Sequence, residues 1–122
     1  MSKPPAKGSA PHSLAYIYST YLPYVHDVAQ RHGYASAVHG SMVRDLDVVL
    51  VPWAEEASSA EVVIEALCES ICWYWCQDKS GVHGPEHRPH GRLAWSILTG
   101  GHCYIDVSVM PRAVQGGGKG GG

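Results

Sequence analysis

Residues 39–52 read HGSMVRDLDVVLVP, and the fold hangs on how this stretch is resolved. The run from Asp45 to Val51 is dominated by β-branched residues and stops at Pro52, which predicts a strand. Residues i and i+2 of a strand share a face, so Asp45 and Asp47 project side by side. Val49 and Val51 continue that face and are expected to belong to the core. Two neighbouring carboxylates beside an apolar surface repel each other and lose hydration, so they call for a cation or for one retained proton. Just upstream, Gly40-Ser41 offers backbone N–H groups and a hydroxyl able to approach a phosphate closely. The plain alternative is that Asp45 and Asp47 are turn or cap groups on an exposed strand.

On the N-terminal side, Leu14, Ile17, Tyr18, Tyr21, Leu22, Val25, Val28 and Ala29 recur at helical spacing. Pro23 interrupts this stripe, and Gly33 is placed to end the helix as a left-handed cap. Residues 34–39 suit a short strand. On the C-terminal side, Ser58 stands three residues before Glu61, the spacing of a capping box, and a second helix is expected from there to about Gln77. Residues 78–91 (DKSGVHGPEHRPHG) read as loop. Residues 92–99 and 102–109 alternate and are joined by Gly100-Gly101, a hairpin signal. A third acid, Asp106, sits in the second of these strands between Ile105 and Val107. Three acids on neighbouring strands make an oxygen-rich site suited to Mg2+ or Mn2+.

The chain has 122 residues, with nine Lys+Arg against eleven Asp+Glu and a formal charge of -2. No broad basic field exists to hold long nucleic acid by its phosphates. No apolar run is long enough to span a membrane, and no signal peptide follows Lys3 and Lys7. Cys68, Cys72 and Cys76 fall at four-residue steps on one expected helix, where disulfides between neighbours are awkward, so reduced thiols and a cytoplasmic location are expected. Residues 1–12 and 115–122 read as flexible tails, the second of them Gly-rich, around a single domain at 13–114.

The run His39-Gly40-Ser41-Met42-Val43-Arg44-Asp45-Leu46-Asp47-Val48, with Ile105-Asp106-Val107 later, resembles the polymerase-beta-type nucleotidyltransferase superfamily. That family is marked by a hydrophobic-Gly-Ser turn, an Asp-x-Asp strand and a third acid on a later strand. The stretch 40–53 is also similar to small proteins of tailed bacteriophages. The resemblance implies an α+β domain with a nucleotidyltransferase-like core: a small mixed or antiparallel sheet with helices packed on one face, in the order α-β-β-α-β-β. It implies that Gly40 and Ser41 hold nucleotide phosphates and that Asp45, Asp47 and Asp106 bind Mg2+ or Mn2+, with Asp106 also taking the nucleophile's proton. Only three residues separate Ser41 from Asp45, fewer than is usual in the family, and Arg44 is expected to add a charge-assisted phosphate contact. The implied activity is transfer of a nucleoside monophosphate from an NTP, ATP foremost, to a hydroxyl acceptor. The alternative is an inactive binding or regulatory module of the same fold. The chain carries no helical substrate domain, so a partner protein or a second copy is expected to help hold the acceptor.

Other clusters admit plainer readings. His83, His87 and His90 lie in the expected loop; a solvated loop, a transition-metal site and a substrate lid are the alternatives. Cys68, Cys72, Cys76 and Cys103 read as buried thiols before a zinc site. Trp73, Tyr74, Trp75 and Trp95 take the place of Phe in a core that has none. Any one of them, or Trp53, is also able to stack on a base. His39, before the Gly-Ser turn, reads as a strand-end histidine within reach of a phosphate.

Overall fold

The computed structural model describes residues 14–40, 45–72, 81–99 and 104–112. The first helix, α1 (Leu14–Arg31), runs through Pro23, whose ring lies on the exposed side. Tyr21, Val25, Val28 and Ala29 form its buried stripe. Gly33 ends it at φ +86°, as the sequence suggested, and its carbonyl accepts from Trp53 N–H and Ala54 N–H at 2.8 and 3.0 Å. A Cβ at Gly33 would stand 2.8 Å from Ala57 Cα, so glycine is required there for space as well as for backbone angle.

The strands β1 (Tyr34–His39) and β2 (Leu46–Pro52) follow, then the helix α2 (Ala60–Cys72). The cap of α2 lies one residue later than the capping-box spacing suggested. Ser59 Oγ accepts from Val62 N–H at 3.3 Å. Ser58 is already engaged: its hydroxyl pairs with His32 Nδ1 at 2.9 Å and its carbonyl accepts from Tyr34 Oη at 2.6 Å. Ser58 thereby ties the end of α1 to the start of α2.

The expected order also needs correction. Part of the stretch expected as loop is a strand, β3 (Val82–Arg88), followed by a 3-10 turn (Pro89–Gly91) and then β4 (Arg92–Leu98) and β5 (Tyr104–Val109). The elements therefore run α-β-β-α-β-β-β. Gly84 and Pro85, read as loop residues, occupy a bulge: one extra residue lies between His83 and Glu86 relative to β4. The expected hairpin pairing of β4 with β5 is present.

The result is an α+β domain with a mixed five-stranded sheet in the order β1-β2-β5-β4-β3. Among the described strands only β2 and β5 are parallel; the other neighbours are antiparallel. One strand face (Leu46, Val48, Leu50; Ile105, Val107, Val109; Trp95, Ile97) packs with both helices into a single core. Trp95 fills core space, as expected of it, whereas Trp53 is 81% exposed. The expectation that Val49 and Val51 line the core fails. They lie on the opposite face, where Val49 is half-buried and Val51 exposed. Alternation assigned the right residues to one face, but the helices cover the other.

Candidate functional site: a carboxylate pair on the open sheet face

The strand register sets one polar residue from each strand into a row across the face that the helices leave open. His39 of β1 stands opposite Asp47 of β2, Asp47 opposite Asp106 of β5, Asp106 opposite Ser96 of β4, and Ser96 opposite His83 of β3. Adjacent strands are about 4.8 Å apart, so neighbours in the row are in reach of one another. Two carboxylates thus meet at the centre of the sheet, one from each strand of its parallel pair.

Their environment is asymmetric. Ser96 Oγ donates to Asp106 Oδ1 at 2.7 Å and fixes the plane of that carboxyl. The Asp47 carboxyl is pushed from 3.8 up to about 6. Partial burial is the main cause, followed by the charge of Asp106 and a hydrogen bond between the two carboxyls. His39 opposes the shift and Asp45 adds to it. A nearby cation would oppose both the burial and the Asp106 charge that raise the Asp47 carboxyl.

Gly40 sits directly behind Asp47 at φ +88°, and a Cβ there would collide with the Asp47 carboxylate. The glycine of the Gly-Ser turn is needed here so that a carboxylate can lie against the backbone. Asp45, at the entry to β2, accepts a hydrogen bond from Tyr104 N–H at 3.0 Å and so pins the start of β5 beside β2. The structure therefore brings Asp47 and Asp106 face to face and gives Asp45 a strand-joining bond. Ser41 and Arg44 lie outside the described residues, as do Trp73, Tyr74, Trp75, Cys76 and Cys103.

The pair opens into a groove of about 640 Å³. His39, Asp47 and Asp106 line one end, and Glu86, Arg88 and Arg92 the other. Arg88 is paired with Glu86 at 2.7 Å. Arg92 is half-buried and held by neutral oxygens: Nε donates to Pro89 O at 3.1 Å and Nη1 to Ser108 Oγ at 3.3 Å. Sequence reasoning passed over Ser96 and Arg92, although the alternation of residues 92–98 puts both on the polar face. Glu86 and Arg88 carried no such signal, because the bulge breaks the alternation.

Among the described residues no three His, Cys, Asp or Glu side chains form a ready group for a metal ion. His83 and His87 lie on β3 and His90 in the 3-10 turn, so the three are spread along ordered backbone rather than gathered in a loop. Cys68 is a half-buried cysteine of α2. Asp47 and Asp106 are a two-carboxylate oxygen set. That number suits Mg2+, which binds one or two carboxylates and completes its octahedron with water and substrate phosphates. No described helix is long and apolar enough to cross a membrane. Comparison with protein-family models, curated proteins and solved structures finds no significant match to this chain.

Proposed function

We propose that the protein is a metal-dependent nucleotidyltransferase that moves a nucleoside monophosphate from an NTP, ATP foremost, to a hydroxyl acceptor. The observation that carries this reading is the in-register, half-buried Asp47–Asp106 pair at the end of a groove whose far end is cationic. Such a groove suits a ligand that is an anion accompanied by a cation.

Asp47 and Asp106 would hold Mg2+ or Mn2+. When bound, such an ion neutralises the triphosphate and lowers the pKa of the attacking hydroxyl. Asp106, oriented by Ser96, accepts the proton of that hydroxyl. Gly40 lets the Asp47 carboxylate lie against the backbone at the end of β1, and the family resemblance implies Ser41 and Arg44 as further phosphate-binding residues. His39, across from Asp47, adds a donor at the same end. The reading goes with a cytoplasmic location, where NTPs are plentiful, and with a partner protein or second copy holding the bulk of the acceptor.

The test is incubation with Mg2+ or Mn2+ and each α-labelled NTP, for the wild type, Asp47→Ala and Asp106→Ala. Label transfer or pyrophosphate release that falls by about 100-fold or more in both variants supports the enzyme. One observation favours a second reading: Asp45 is engaged with Tyr104 N–H, leaving two acids facing each other where the family motif implies three. Metal-dependent nucleotide binding without turnover would establish that alternative, a binding or regulatory module.

A further inference from the structure

The groove extends well beyond the carboxylate pair, and its other end is built around Arg92. Arg92 is a half-buried residue whose guanidinium donates two hydrogen bonds, both to neutral oxygens. Arg88, its cross-strand neighbour, is already paired with Glu86. A cation lining a groove, held by hydrogen bonds and with no carboxylate partner among the described residues, is a preorganised anion receptor, since part of its ordering entropy is already spent. Its position is set by Ser108, which it contacts and which lies two residues along β5 from Asp106. At the strand rise, Ser108 stands about 7 Å along β5 from the carboxylate row.

We propose that Arg92 binds a phosphoryl group of the molecule whose hydroxyl lies at the Asp47–Asp106 pair. The ligand class is a small hydroxyl compound carrying a phosphate about one sugar away from the reacting oxygen, as in a sugar phosphate or a terminal nucleotide. The assignment of that hydroxyl as the acceptor rests on the nucleotidyltransferase reading; the anion site itself does not. The formal charge of -2 and the absence of a basic field favour a small phosphorylated molecule over a long polyanion.

The test uses the full chain without metal or NTP, titrated calorimetrically with ribose 5-phosphate and with ribose. The phosphate ester should bind at least about tenfold tighter than the neutral sugar. Raising salt should narrow that gap. Arg92→Gln should abolish the gap, and Arg92→Lys should keep part of it, with thermal melting reporting whether each variant is folded. A trinucleotide with a free 3′-hydroxyl forms a parallel arm that identifies which molecule supplies the phosphate; in it, too, Arg92→Gln should lose affinity. Equal affinity for ribose and its phosphate, no binding of either phosphate ester, or binding indifferent to folded Arg92→Gln would overturn the inference. Phosphate binding through Arg92 without nucleotidyl transfer would instead overturn the enzyme reading and leave this site standing.

Discussion

Asp47 carries the sharpest consequences of any residue. Its carboxyl titrates near 6 in the folded protein against 3.8 for an unperturbed one, so the folded state binds that proton more tightly than the unfolded chain. The stability it contributes is complete below about pH 4 and is lost as pH rises through about 6. Asp47→Asn removes that loss. The variant should melt above the wild type at pH 7.5, and the difference should close by about pH 4, as read by differential scanning fluorimetry. Under the proposed function, Mg2+ replaces the proton. It should raise the wild-type melting temperature more at pH 7.5 than at pH 5, and should leave Asp47→Ala unmoved. Gly40→Ala places a methyl group into the same carboxylate and onto a positive φ. Chemical denaturation should show a loss of more than about 1 kcal/mol. These residues were legible in the sequence, since Gly-Ser and Asp-x-Asp stand close together. Asp45 was legible as an acid but not as a hydrogen-bond partner of Tyr104 N–H, because that bond needs β5 to arrive beside β2.

Among the elements, the junction of α1 with α2 separates what a local pattern reveals from what it hides. Two adjacent serines both fit an N-cap, and the sequence spacing with Glu61 pointed to Ser58. His32 and Tyr34, brought there by the turn at Gly33, engage Ser58 and leave the capping to Ser59. Ser59→Ala should cost about 1 kcal/mol and reduce far-UV helicity. Ser58→Ala should cost a similar amount through the His32 hydrogen bond and leave helicity unchanged. β3 is the element that was missed. Its Gly84-Pro85 pair imitates a loop, and it is the pairing of Val82, His83, Glu86, His87 and Arg88 with β4 that makes the stretch a strand. It contributes the paired Glu86 and Arg88 to the far end of the groove, beside Arg92 of β4.

For the whole molecule, the two faces of β2 predict opposite responses. Leu50 is fully buried beneath the helices, and Leu50→Ala should cost about 2–5 kcal/mol in denaturant unfolding. Val49, its neighbour on the open face, should lose no more than about 1 kcal/mol on truncation to Ala. Equal losses would mean that the open face is covered. By itself the sequence determined the helices, four of the five strands, the parity of every residue along β2, β4 and β5, and the presence of acids on β2 and β5. Local periodicity and turn chemistry suffice for that. Tertiary structure alone decided which parity the helices cover, that β5 lies parallel to β2, and hence that Asp106 meets Asp47 rather than some other residue. Alternation records that two faces differ. Which face is buried and which strands are neighbours depend on how the apolar stripes of two helices, distant in the chain, find a sheet to cover.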